Sequence, residues 1–203
     1  MSGRSARIGV LGGTFDPPHL AHLAIGAAAK HTLDLDRVLF VPAGDPWRKA
    51  GRLVTPAAVR LRMLHAALDP LPWAEVSTVE LDRPGPSYIT ETLPILAAGT
   101  PDAAWWFILG DDALEDTPHW HEPERLLALA RLAVVWRPPG VAMVPLTVLD
   151  RFPGIAERID EVHMEPLTVS STDLRARVQA GGSTSVLLPD EVRAVIDELG
   201  LYR

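Results

Sequence analysis

Apolar and polar positions alternate in blocks that change period along the chain, and that change predicts strands and helices in turn. Arg7 to Leu11 is a short apolar, β-prone run followed by Gly12-Gly13 and the turn-forming Asp16-Pro17-Pro18. Leu20 to about Thr32 is rich in alanine and leucine and reads as a helix. Arg37 to Pro42 predicts a second buried strand, and Ala43 to Val54 a long loop. Thr55 is expected to cap a helix from Pro56 to about Leu68. Ala74 to Leu81 alternates like a strand, and Ser87 opens a helix to about Ala98 after the turn Arg83-Pro84-Gly85-Pro86. The runs 104–109 and 132–136 predict two more buried strands, separated by a helix from about Pro123 to Leu129. A weaker pattern follows, with a sixth strand near Asp160 to Met164. Ser170-Ser171-Thr172-Asp173 signals a helix N-cap, and a last helix runs from Pro189 to about Leu199 with Gly200 as its C-cap.

Strands alternating with helices predict an α/β fold, a doubly wound and mostly parallel sheet covered on both faces. A single domain over residues 1–203 is expected, its C-terminal helical part at about 168–203. The glycine turn after the first strand places backbone N–H groups and a helix N-terminus at the carboxyl edge of the sheet, where phosphates bind. Gly9-x-x-Gly12-Gly13 is not the dinucleotide fingerprint, and no Walker A sequence is present. A redox Rossmann enzyme and a P-loop NTPase are therefore disfavoured.

Composition narrows the chemistry. There are no cysteines, which removes disulfides, thiolate catalysis and cysteine-ligated metal. The net charge of −7 argues against a broad nucleic-acid-binding face but not against a small phosphate ligand in a locally positive cleft. The sequence shows neither a signal peptide nor a membrane helix, so the expectation is a cytoplasmic protein without a membrane partner. Whether it forms a homo-oligomer stays open.

His19 and His22, at the start of the first helix, share one face and can point at one anion. The plain alternative is two incidental histidines at an exposed helix start. A metal pair is a third reading, without a convincing further ligand set; His119 and His121, flanking Trp120, are weak metal candidates. Arg175 falls one turn into the helix opened by Ser170, Ser171 and Thr172, an arrangement that suits phosphate as well as it suits a capped surface helix. Asp16 could meet a ligand or serve the turn alone. Trp120 could stack on a ring or pack in the core.

Gly12-Gly13-Thr14-Phe15-Asp16-Pro17-Pro18-His19-Leu20-Ala21-His22 resembles the phosphate-binding block of the nucleotidyltransferase α/β-phosphodiesterase superfamily, of H-x-G-H type, with Ala21 where glycine is usual. Ser87 to Leu93, Gly110-Asp111-Asp112 followed by Trp120, and Ser170 to Arg175 are similar, in order, to the S-Y-T-x-x-T-L, G-x-D-x-L…W and I-S-S-T-x-I-R blocks of bacterial nicotinate mononucleotide adenylyltransferases. The ending Leu199-Gly200-Leu201-Tyr202 also looks like that family's, so the likeness covers essentially the whole chain.

The resemblance implies a Rossmann-like nucleotidyltransferase that transfers an adenylyl group from ATP to nicotinate mononucleotide, with Mg²⁺ accompanying the triphosphate. It implies that His19, His22, Arg175 and Lys49 surround the phosphates. Gly12, Gly13, Thr14, Gly110, Asp112, Arg137, Ser170, Ser171 and Thr172 would bind ATP, Asp112 at its ribose. Phe15, Asp16, Tyr88, Ile89, Thr90, Thr92 and Trp120 would bind the mononucleotide, Trp120 by stacking and residues 88–90 through backbone amides. Asp111 and the Trp47-Arg48 pair depart from the family pattern. The alternatives are an adenylyltransferase preferring nicotinamide mononucleotide or another phosphorylated acceptor such as phosphopantetheine, and an inactive nucleotide-binding regulator.

Overall fold

The computed structural model describes residues 4–45, 54–136, 143–165 and 167–203. Its elements in chain order are β1 (Arg7–Gly13), α1 (Leu20–Thr32), β2 (Arg37–Pro42), α2 (Ala57–Leu68), β3 (Ala74–Val76), α3 (Ile89–Ala98) and β4 (Ala104–Gly110), followed by α4 (Asp111–Glu115), α5 (Pro123–Leu129), β5 (Arg131–Trp136), α6 (Leu146–Arg151), β6 (Ile159–His163), α7 (Ser171–Gln179) and α8 (Asp190–Leu199). The sheet has six strands in the order β3-β2-β1-β4-β5-β6. Every neighbouring pair is parallel, so the sheet is parallel throughout rather than mostly so.

Period-two side-chain alternation sends each strand's residues to two faces. On one face Ile8, Val10, Phe107, Leu109, Leu132 and Val134 pack against Leu93 of α3, Leu126 of α5 and Val148 of α6. On the other, Leu11, Phe40, Trp106, Ile108 and Val135 pack against Ala29 of α1 and Leu64 and Leu68 of α2. The C-terminal helices close a third cluster, in which Leu174, Val192 and Ile196 meet Met63 and Ala67 of α2. Among the described residues no helix is long and apolar enough to cross a membrane.

The predicted and observed elements part where a turn competes. The run expected as a strand over 74–81 pairs only through Val76, because the backbone N–H groups of Leu81 and Asp82 both turn back to the Thr78 carbonyl. Pro56, not Thr55, is the N-cap of α2. Helix α3 begins at Ile89 rather than Ser87, because the Ser87 hydroxyl instead accepts from the Gly44 N–H at 2.9 Å. The short helices α4 and α6 were not expected at all. The Ser170 cap is as read, its hydroxyl accepting from the Asp173 N–H at 3.1 Å.

From β1 the sheet winds outward through β2 and β3, and then through β4 to β6 on the other side. The carboxyl ends of β1 and β4 are therefore the topological switch point, where α/β folds open a crevice.

Candidate active site

A cleft of about 480 Å³ opens at that switch point. One wall is the end of β1 and the turn after it, contributing Gly12, Gly13, Thr14 and, from α1, His22. A second wall comes from Ala43, Glu80 and Ser87 to Thr90, and a third from Gly110, Asp112, Trp120 and His121. The turn is tight. Phe15 takes a left-handed backbone at φ 51°, and the peptide between Asp16 and Pro17 is cis. A Cβ on Gly13 would lie 2.9 Å from the Phe15 ring, so only glycine lets that ring fold beneath the turn.

His19 is the N-cap of α1, and its backbone N–H donates to His22 Nδ1 at 3.2 Å. In a neutral imidazole this leaves Nε2 as the protonated, donating nitrogen of His22. The two rings stack with centroids 3.8 Å apart, and the Phe15 ring meets His22 edge-on at 5.0 Å. His19 is only 5% exposed, and burial lowers its pKa from 6.5 to about 4. Its Nδ1 is buried with no hydrogen-bond partner among the described residues.

That shift ties stability to pH. Between pH 6.5 and about 4 the unfolded chain binds a proton at His19 that the folded chain rejects, so stability falls as pH drops through this window. The shift corresponds to about 3 kcal/mol at its low end. Asparagine is a good N-cap without that titration, so His19→Asn should flatten the pH dependence of urea midpoints between pH 7 and 4.5. A variant as acid-sensitive as the wild type would contradict the assignment.

The second wall is stitched to the exit of β2. Ser87 N–H donates to the Asp45 carbonyl at 3.1 Å, and a Cβ on Gly44 would stand 2.1 Å from the Glu80 carbonyl oxygen. Gly44→Ala must therefore push two backbone segments apart. It is expected to cost about 2–3 kcal/mol, as overpacking does, and to open this wall. An unchanged denaturant midpoint would show that the wall tolerates the displacement. Glu80, which the sequence reading passed over, is buried and accepts from the Thr92 hydroxyl at 2.6 Å. Thr90 is 1% exposed, and its hydroxyl has no partner among the described residues. On the third wall Trp120 meets Phe107 edge-on at 5.8 Å, and Tyr88 and His121 bring their rings to 4.5 Å.

Gly12, Gly13, Thr14, His22, Tyr88, Ile89, Thr90, Gly110, Asp112 and Trp120 thus line one cleft. Asp112 lines it, while the Asp111 carboxylate accepts the Asp112 N–H at 3.1 Å. Three residues read as mononucleotide contacts are engaged away from it. Phe15 packs on Phe40 and His22, and Thr92 is held by Glu80 and the Tyr88 carbonyl. The Asp16 carboxylate accepts from Tyr202 Oη at 2.7 Å and Thr55 N–H at 3.2 Å. Burial works to raise the Asp16 pKa, but those hydrogen bonds and the Arg175 charge outweigh it and hold it below the usual carboxylate range.

Arg175 and the start of α7 meet the turn from the side of a neighbouring hollow. Arg175 donates to the Asp16 carbonyl at 2.7 Å and Ser171 to the Pro17 carbonyl at 3.0 Å. Arg175 and Thr172 line a neighbouring hollow with Thr55 and Tyr202. Lys49 and Arg137, with Trp47 and Arg48, lie outside the described residues.

Residues 10–177 match the cytidylyltransferase-like family model. The chain is 46% identical over 199 residues to a probable nicotinate-nucleotide adenylyltransferase of Roseiflexus sp. (strain RS-1), covering 98% of this chain and 99% of that one. Identity to the probable nicotinate-nucleotide adenylyltransferase of Thermomicrobium roseum is 41%, over 98% of this chain and 92% of the relative. Among solved structures, a Plasmodium falciparum nicotinic acid mononucleotide adenylyltransferase complexed with NaAD superposes with a TM-score of 0.76 at 17% identity, over 97% of each chain, a likeness of fold. With near full-length matches at this identity, the chain belongs to the nicotinate-nucleotide adenylyltransferase family.

Proposed function

We propose that this cleft transfers the adenylyl group of ATP to the 5′-phosphate of nicotinate mononucleotide. An oxygen of that phosphate attacks the α-phosphorus. The bond from the α-phosphorus to the bridging oxygen breaks, and pyrophosphate leaves with the electron pair. The attacking oxygen is already an anion at neutral pH, so no general base is needed. Catalysis then rests on alignment and on donors aimed at the developing charge.

His22 Nε2–H and the N–H groups of the turn that follows β1 would supply those donors, and Arg175 with the start of α7 would take the outer phosphates. Gly110 and Asp112 would meet the adenosine ribose. Trp120 would stack on the pyridine ring. Mg²⁺ would enter on the triphosphate, its charge offsetting that of the phosphate oxygens. That ion would be carried mainly by nucleotide oxygens and water. A reaction that draws on ATP suits a cytoplasmic enzyme.

The observation that carries the acceptor assignment is the α3 N-terminus. There the buried Thr90 hydroxyl, without a partner among the described residues, lies among the cleft-lining residues 88–90, so a pyridine carboxylate would find both a hydroxyl donor and helix-start N–H groups. The test is chromatography of a reaction of ATP, Mg²⁺ and nicotinate mononucleotide. Nicotinate adenine dinucleotide and pyrophosphate should appear in equal amounts, and pyrophosphate without dinucleotide would overturn the reading.

A further inference from the structure

The turn between β1 and α1 is held by its acceptors. Gly13 O takes the Ala43 N–H at 2.9 Å, Thr14 O takes Arg60 Nη1 at 2.9 Å, and the carbonyls of Asp16 and Pro17 take Arg175 and Ser171. The Asp16 carboxylate takes Tyr202 and Thr55. The partners come from the β2 exit, α2, α7 and the segment after α8. A trans peptide points its N–H opposite to its C=O. Drawing the Gly13 and Thr14 carbonyls toward these partners therefore turns the N–H groups of Thr14 and Phe15 the other way.

We propose that Arg60 and Tyr202 are positioning residues for adenylyl transfer, holding the phosphate-facing turn from behind without touching substrate. The proposal rests on the function proposed above. Arg60 is only 2% exposed, and its fork bridges the two sides of the turn's support, with Nε on Thr55 O at 2.9 Å and Nη1 on Thr14 O. Thr55 in turn donates its N–H to Asp16, itself 2% exposed, so Arg60 and Tyr202 converge on one buried carboxylate. Both residues are unusual if packing is their whole task. A buried guanidinium is costly unless its donors are used, and here they go to two backbone carbonyls. Tyr202 adopts a left-handed backbone at φ 62°, a strained state for a non-glycine residue, and in it the phenol reaches Asp16. Phe15, within the turn, is strained in the same sense. Two strained residues, Phe15 within the turn and Tyr202 on the carboxylate of the residue that follows it, fit a turn fixed for function rather than for stability.

The test is steady-state kinetics and thermal melting of the full chain carrying Tyr202→Phe or Arg60→Lys, beside the wild type. Phenylalanine keeps the ring and loses the hydroxyl; an ammonium keeps the charge but lacks the rigid planar fork whose separate nitrogens reach the two carbonyls. Positioning predicts that kcat falls on the order of 10- to 100-fold, the scale of a small misplacement of reacting groups, at temperatures where each variant is fully folded. KM for the mononucleotide should stay largely unchanged. A lowered Tm with wild-type kcat in both variants would reduce the pair to packing and overturn the proposal. If Tyr202→Phe does not fold, Arg60→Lys decides by the same criterion. If the wild type does not use nicotinate mononucleotide, the functional reading fails instead. The turn is then judged by calorimetric ATP binding, which the variants should weaken and which unchanged affinity would contradict.

Discussion

Replacing His22 by alanine should lower kcat for pyrophosphate release by ~10²–10³-fold, the scale of losing one preorganised donor to a transition-state oxyanion. Its imidazole lines the cleft beside Gly12 to Thr14 and is fixed from two sides, by the His19 N–H on Nδ1 and by the stacked His19 ring. A donor fixed before substrate arrives pays little reorganisation as charge builds on the α-phosphate. The substitution also removes the acceptor for the His19 N–H, so Tm should drop by the modest amount that a lost helix cap costs, about 1 kcal/mol. Kinetics at low temperature separate the two effects. Turnover near the wild-type rate in the folded variant would remove His22 from the chemistry.

Trp120→Ala should act on the acceptor side alone. Stacking a heteroaromatic ring on an aromatic side chain contributes about 1–3 kcal/mol, so KM for the mononucleotide should rise by roughly 5- to 150-fold while KM for ATP changes little. Trp120 also packs edge-on against Phe107. Trp120→Phe is therefore the informative partner, and it should recover most of the mononucleotide KM. Equal increases for both substrates would assign the indole to packing.

How much of this was legible depended on what each residue type advertises. β2, α1 and α5 fall within the predicted limits because apolar runs there end at prolines, glycines or a clear change of period. Helix α4 has five residues and opens on Asp111-Asp112, too short for any period to register. Edge strand β3 reads longer in the sequence because alternation continues past Val76, whereas the bonding to β2 ends with the Ser77 N–H on the Phe40 carbonyl and the backbone then turns at Thr78.

In the site, the histidine pair and the Ser170 cap stood out because glycines and capping residues punctuate the sequence around them. Arg60 and Glu80 did not. A buried charge in a helix or turn looks like any solvated one until the chain folds around it. Asp16 could be read either way from sequence, and the fold turns its carboxylate to Tyr202, 186 residues away. No local pattern encodes that distance.

The claim that orders all of this is that the cleft takes a pyridine mononucleotide bearing a carboxylate. The most direct measurement is pyrophosphate release with ATP and Mg²⁺, with nicotinate mononucleotide, nicotinamide mononucleotide and phosphopantetheine compared side by side. A kcat/KM for the acid well above that for the amide is expected, with no turnover of phosphopantetheine. Equal use of acid and amide would contradict the carboxylate pocket at residues 88–90, and silence with all three despite measurable ATP binding would contradict the enzyme itself.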